Sequence, residues 1–349
     1  MRVLRPAAFG RGVRLLATGA ALPARVVTNA DLVALGAPLE PEEMEKLTGI
    51  RERRWVEGDE ATSDLAVGAA REALGRASVA AEDVARLVLA TVSPDRLSPS
   101  AACVAHAKLG LGAVPVHDLT ASCSGFVYAL DAAARAVLTG DAPTLAIGAD
   151  VRSRFVDPTD RATCALFGDG AAAALLGEGP PDEGLLAIGL TADGRGAESV
   201  YVPAGGSREP ASAETVEAGR HTIRMAEGPR VYLEAVEGMI GTAEALLEAT
   251  QTRWEDLALV VPHQPNRRIL DRLARLGDFD ADKLVVDIED KGNMSAASVG
   301  VALDRALRER ARVGDLVLVV AAGAGYTAGA ALLRVDAALL AALRPGDAP

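Results

Sequence analysis

Cys123 is the residue of this chain best placed to act as a nucleophile. It stands in Asp118-Leu119-Thr120-Ala121-Ser122-Cys123-Ser124-Gly125, immediately before a stretch, 125–138, whose apolar residues recur at helical spacing. A thiol at a helix N-terminus faces unpaired N–H groups and the positive end of the helix dipole, which lower its pKa and favour the thiolate. Outside that setting a cysteine reads at least as well as a small buried hydrophobe. Cys103 and Cys164 have no such turn and are assigned to the core. His263 closes an apolar run and opens His263-Gln264-Pro265-Asn266. An imidazole at the C-terminal end of a buried strand lies where α/β proteins form ligand crevices, with a purely structural histidine as the competing reading. Asn293, in Lys291-Gly292-Asn293-Met294-Ser295, offers an amide that either caps the next helix or reaches a ligand. Ala321-Ala322-Gly323-Ala324-Gly325-Tyr326-Thr327 follows the last apolar run; its small residues let backbone N–H groups approach an oxyanion, or simply make a tight turn. The G-x-G-x-x-G spacing of a dinucleotide site is absent, and no two histidines have metal-ligand spacing, so neither a metal nor a redox cofactor is expected.

Positioning such groups requires a large core, and 349 residues of which 50% are apolar can supply one. Internal repetition suggests how. Glu82-Asp83-Val84-Ala85-Arg86-Leu87-Val88-Leu89-Ala90 is echoed by Glu255-Asp256-Leu257-Ala258-Leu259-Val260-Val261, and Ser100-Ala101-Ala102-Cys103-Val104 by Ser295-Ala296-Ala297-Ser298-Val299. Gly140-Asp141 before one apolar run is echoed by Gly314-Asp315 before another. The echoed runs lack polar alternation, as strands buried on both faces do, and stretches 69–74, 125–138, 232–249 and 301–310 between them have helical spacing. Strand and helix alternating twice over predicts a layered α/β fold of two pseudo-equivalent halves, 1–180 with the cysteine and 181–349 with the histidine and asparagine.

A formal charge of −12 and 3% aromatic residues argue against nucleic acid as a partner. Three cysteines fit no disulfide framework and suit a reducing cytosol. The start of the chain has a basic residue and a short apolar run, but the run is broken by glycine, so a signal peptide is not expected. No stretch reaches the roughly 20 apolar residues of a membrane span. A cytoplasmic protein is expected.

Together these segments resemble the β-ketoacyl-ACP synthase III family over nearly the whole chain. The resemblance begins at Gly19-Ala20-Ala21-Leu22-Pro23 and runs through Thr48-Gly49-Ile50-Arg51-Glu52-Arg53, Pro99-Ser100-Ala101-Ala102-Cys103 and the cysteine turn. It continues through Asp157-Pro158-Thr159-Asp160-Arg161, Phe167-Gly168-Asp169-Gly170, His263-Gln264-Pro265-Asn266 and Gly292-Asn293-Met294-Ser295, ending near Val335 and leaving 336–349 as an extra tail. It implies the thiolase fold, with two βαβαβαββ halves in an αβαβα arrangement, and a homodimeric ketosynthase. Cys123 would hold an acyl group; His263 and Asn293 would bind the thioester oxygen of a malonyl-type extender while CO2 leaves; and the N–H groups of Cys123 and Ala324 would form the oxyanion hole. The family has glycine where Ala324 stands. A thiolase would carry a second cysteine in the final glycine-rich turn, and an elongating synthase a second histidine in place of Asn293. An acyltransferase passing the acyl group to a hydroxyl or amine is the competing enzyme, and a non-catalytic binding subunit the competing non-enzyme.

The departures from the family bear on partners. Glu43 and Leu47 stand where many members have a tryptophan and an arginine that clamp coenzyme A, although Arg161, at another nucleotide-contacting position, is retained. An acyl group delivered by acyl carrier protein is therefore expected. Arg267, Arg268 and Arg272, with Arg275, form a basic helix suited to docking that acidic carrier, since the family has a basic docking residue at the position of Arg268. Ser98, where relatives have a bulky residue limiting the acyl channel, implies a longer or branched acyl group. Ser98, Arg161 and Tyr232 are the residues expected to touch substrate. The substrates would be acyl, malonyl-type or β-ketoacyl thioesters, used for fatty-acid initiation or for a polyketide pathway of the kind served by stand-alone pyrone-forming ketosynthases.

Overall fold

The computed structural model describes residues 1–346 of the 349. The first half runs β1 (Arg2–Leu4), β2 (Gly12–Ala21), β3 (Arg25–Thr28), α1 (Asn29–Ala34), α2 (Pro41–Thr48), β4 (Glu52–Trp55), α3 (Thr62–Ala77), β5 (Arg86–Ala90), α4 (Ala101–Leu109), β6 (Val116–Leu119), α5 (Gly125–Leu138), β7 (Thr144–Asp150) and β8 (Gly170–Gly179). The second runs β9 (Gly184–Ala192), β10 (Val200–Tyr201), α6 (Ala213–Glu217), β11 (Arg224–Met225), α7 (Gly228–Thr250), β12 (Leu259–Pro262), α8 (Arg267–Leu276), α9 (Ala297–Glu309), β13 (Leu316–Gly323), β14 (Thr327–Arg334) and α10 (Ala337–Leu343).

Two five-stranded sheets carry the fold, ordered β2-β8-β7-β5-β6 and β1-β9-β14-β13-β12. In each, the parallel pair (β5 with β7, β12 with β13) continues into antiparallel neighbours. Helices α5 and α9 lie between the sheets, while α3 and α4 cover the outside of one and α7 and α8 the outside of the other. This is the five-layer α/β arrangement expected. A helix sandwiched between two sheets buries most of its circumference, which explains the alanine-rich, largely buried text of α5 and of the first half of α9. Gly300 in α9 is required for that closeness: a Cβ there would lie 2.5 Å from the Ala172 Cβ of β8.

Two of the three sequence echoes fall at corresponding places in the two sheets, and one does not. The runs at β5 and β12 and the Gly-Asp turns before β7 and β13 occupy matching places. Ser100 and Ser295 do not: α4 follows the second strand of its sheet and lies outside, whereas α9 lies in the central layer, opposite α5. The true counterpart of Ser295 is Ser122. Both are non-glycine residues in the left-handed region, φ 50° and φ 48°, and each stands just before a central helix. Helix α3 is longer than its apolar spacing indicates because its first turn is polar: Thr62 donates to Ser93 O (2.5 Å) and the Asp64 carboxylate accepts the Ala61 N–H (3.0 Å). Cys103 is exposed, contrary to its assignment to the core; α4 buries Ala101, Ala102, Ala105 and Leu109, and Cys103 faces away from that side.

The segment before residue 22 is structural, β1 lying in one sheet and β2 in the other. At the other end, the tail folds back as α10: Asp336 caps it by accepting the Leu339 N–H (2.7 Å), and Leu339 and Leu343 are buried against the first sheet and α9. Residues 347–349 of that tail lie outside the described residues. Among the described residues no helix is long and apolar enough to cross a membrane.

Candidate active site

Cys123 sits on a 3-10 turn, Ser122–Ser124, between β6 and the first residue of α5. The left-handed Ser122 turns the chain sharply enough to bring the thiol out of the sheet plane; a non-glycine residue held there is mildly strained and persists only where its surroundings demand it. Those surroundings come from the other half. Ser124 Oγ lies 2.7 Å from Ala121 O and 2.8 Å from Thr327 Oγ1, and Thr327 donates to Ala121 O (3.0 Å), so β14 clamps the turn. Gly323, ending β13, approaches so closely that a Cβ there would lie 2.7 Å from Cys123 N. The left-handed positions in this second turn are Gly325 (φ 74°) and Tyr326 (φ 46°); Ala324 needs no such conformation, so alanine is accommodated without strain.

The electrostatics of the thiol reverse the sequence-based expectation. Burial pushes Cys123 up to about 11, and the Ser295 hydroxyl, 3.8 Å from Sγ and able to donate to the thiolate, pulls the other way without overcoming it. Near neutral pH the resting side chain is therefore a thiol.

His263 follows β12 directly, and its N–H donates to Val320 O of β13 (2.7 Å). Its neighbour Gln264 is buried and ties this corner down: Nε2 donates to Pro262 O (2.8 Å) and Val285 O (3.0 Å), and Oε1 accepts the Asp287 N–H (2.8 Å). The His263 ring is 2% exposed, its Nδ1 is buried without a partner, and burial lowers its pKa to about 3. A neutral ring is thus enforced. An unpaired buried N–H is costlier than an unpaired lone pair, so the proton belongs on Nε2, where it is a donor.

Asn293 is fixed through its backbone, donating to Leu166 O (2.8 Å) and accepting from Gly168 N (3.0 Å), in a bridge beside Phe167. Its side chain does not cap α9 from outside; Oδ1 accepts the Ser295 N–H (2.9 Å), which leaves both Nδ2 hydrogens for a ligand. The loop is held to the first sheet by Asp150, whose carboxylate accepts from Thr91, Val92 N, Ser93 and Ala296 N.

Cys123, His263, Asn293 and Ala324 line one cavity of about 640 Å³, with Tyr232 and Arg161 also on its wall. The Tyr232 hydroxyl donates to Arg268 O (3.3 Å). Arg161 is paired with Glu43 (2.5 Å), so its charge is answered by a carboxylate of α2. Ser98 is exposed and is not part of the cavity wall in this chain, so its small side chain does not itself widen the cavity. On α8, Arg268, Arg272 and Arg275 are exposed with no ion pair among the described residues. Arg267 differs, being held by Asp271 (2.8 Å) and Glu289 (2.9 Å). Gln264 and Asp150 position the site but were not singled out from sequence, because a strand-end polar residue reads the same whether it faces solvent or a neighbouring loop.

The 3-oxoacyl-[acyl-carrier-protein] synthase III family model matches residues 117–194, and the model of its C-terminal part matches residues 247–335. A β-ketoacyl-[acyl-carrier-protein] synthase III of Caldanaerobacter subterraneus is 42% identical over 315 residues, covering 90% of this chain and 95% of its own. The crystal structure of the 3-oxoacyl-[acyl-carrier-protein] synthase III of Aquifex aeolicus superposes with a TM-score of 0.84 at 37% identity, over 93% of this chain and 100% of that one. The priming β-ketosynthase of the R1128 polyketide pathway superposes with a TM-score of 0.85 at 32% identity, over 96% and 98% of the two chains.

Proposed function

Because the chain belongs to the 3-oxoacyl-[acyl-carrier-protein] synthase III family, we propose that its β-ketoacyl synthase reaction proceeds through an acyl group carried on Cys123. It is an acyltransferase of the ketosynthase type, and condensation is favoured over transfer to a hydroxyl or amine. The convergence of Cys123, His263 and Asn293 on a single cavity is the observation that carries the mechanism. Cys123 gives up its thiol proton as its sulfur attacks the carbonyl of an acyl thioester; the oxyanion is received by the N–H groups of Cys123 and Ala324; and the thioester C–S bond breaks, the carrier thiol departing with that proton. A malonyl-type thioester then enters with its carbonyl oxygen against His263 Nε2 and Asn293 Nδ2. Loss of CO2 leaves an enolate whose charge these two donors stabilise as it forms. Its carbon attacks the acyl-Cys123 carbonyl, the Cys123 thiolate is expelled, and a β-ketoacyl thioester leaves.

The Arg161–Glu43 pair supports carrier protein over coenzyme A as priming donor, since a cation already answered by a carboxylate has little left for a nucleotide phosphate. Intact-mass measurement of the chain mixed with acyl-carrier protein or acyl-CoA should give an acyl adduct in both cases, faster from the carrier. Malonyl-carrier protein should then discharge the adduct with release of CO2. No adduct from any thioester would sink the whole reading, and faster acylation by acyl-CoA would sink the choice of donor.

Docking of that carrier fits Arg268 and Arg272 better than Arg267, whose charge is already spoken for. Arg268→Glu should raise KM for the carrier protein roughly five- to tenfold at low salt, an effect that added salt diminishes. A KM equal to wild type would take Arg268 out of the docking surface. The division into halves 1–180 and 181–349, a homodimer and a fatty-acid or polyketide setting belong to the same reading; Leu97, 88% exposed beside Ser98, supports a partner surface at that loop.

A further inference from the structure

Among the charged groups of the cavity wall that the mechanism above does not use, Asp193 is paired with Arg195, Glu234 with Arg230 and Arg161 with Glu43, and one has no ion pair among the described residues. Arg152 follows β7 by two residues, at the C-terminal edge of the parallel strands, and lines the same cavity as Cys123. It is 7% exposed. Its backbone N–H is taken by Asp169 (2.7 Å), but its guanidinium has no hydrogen-bond acceptor and no salt bridge among the described residues, and Nε is buried without a partner. Its only evident supports are the rings of Phe155 and Phe167, 5.8 Å and 5.6 Å from the guanidinium carbon.

The nearby carboxylates are otherwise engaged. Asp150 accepts from Thr91, Val92 N, Ser93 and Ala296 N, and Asp169 accepts from Val56 N, Arg152 N, Ser153 N and the Ser153 hydroxyl. The other deeply buried arginine, Arg53, also leaves Nε without a partner, but its terminal nitrogens provide the contrast, donating to Val27 O, Asn29 Oδ1 and Ala165 O. A structural arginine in this core is thus given acceptors. Arg152 is held between two rings with its five donors unanswered, and a buried cation without a partner is costly.

We infer that Arg152 is a specificity residue for the acyl group, and that the cavity accepts an acyl thioester whose chain carries a carboxylate away from the thioester. This rests on the reading of Cys123 as the acylated residue. The carboxylate in question is not the one lost as CO2. A fixed cation would stabilise that group before its departure and slow decarboxylation, whereas a carboxylate retained on the acyl chain gains a charge-assisted, bidentate partner throughout the reaction.

The test compares two donors of equal chain length, succinyl- and butyryl-pantetheine, which need neither a carrier protein nor a nucleotide site. Acylation of Cys123 is followed by intact mass on the full chain. Wild type should prefer the succinyl donor by about tenfold to a hundredfold, the size expected of one charge-assisted pair, and Arg152→Leu should reverse the order. Both donors meet the same thiol in the same folded fraction, so a change in Cys123 reactivity or in stability cancels from the ratio. The wild-type ratio tests the idea even if the variant folds poorly. A wild type that takes butyryl as fast as succinyl would overturn this inference while leaving acyl-Cys123 intact; failure of both donors and of carrier-borne acyl groups to load Cys123 would overturn both.

Discussion

Cys123→Ala should remove the acyl adduct entirely and lower condensation by at least about 10⁴-fold, because no other lining residue of the cavity is a thiol. Cys164 is buried in a separate cluster with Trp55 and Met44, and Cys103 is on the outer face of α4, so neither can substitute. The measurement is intact mass after incubation with an acyl-carrier protein, paired with detection of the β-ketoacyl product. The same variant should keep part of its ability to decarboxylate the malonyl thioester, since His263 and Asn293 remain. An acyl adduct persisting on Cys123→Ala at the wild-type rate would contradict the assignment outright.

The second large effect separates the half-reactions. His263→Ala and Asn293→Ala should each reduce CO2 release by about 10²- to 10³-fold, the usual cost of deleting one donor to a developing oxyanion, while leaving Cys123 able to take the acyl group. Equal damage to acylation and decarboxylation would contradict this division of labour. The pH profile gives a further reading of the same residue. The imidazole is lowered from 6.5 to about 3, so it stays neutral in the folded chain while the unfolded chain binds a proton near 6.5. Its contribution to stability therefore falls as pH drops from 6.5 towards 3. CO2 release should show no step centred near 6.5; such a step would mean that the ring titrates in the working enzyme.

Much of this site was legible because its chemistry depends on residue types that stand out at strand ends and helix starts: a cysteine in a small-residue turn, a histidine after an apolar run, an asparagine between glycine and methionine. The layered fold was legible for a related reason, as strands buried on both faces carry unbroken apolar runs. What the sequence did not disclose depends on distance in the chain. The ionisation of Cys123 is set by how far the cavity walls exclude water, which local spacing cannot report. The pairing of Arg161 with Glu43, 118 residues away, could not be read from either residue's own surroundings in the sequence. Ser100 and Ser295 share a string of small residues but not a place, because alanine next to serine suits an outer helix start and a central one equally well. Arg152 drew no notice because a single arginine after a strand is ordinary; only the lack of acceptors around it is not.

The two ends of the chain are each spent on the opposite half. Strand β1 extends the sheet built mainly from later residues, and α10 covers the sheet built from earlier ones. Neither portion is finished by its own residues, so a chain severed between β8 and β9 would yield fragments with raw apolar faces that can be shielded only by rejoining.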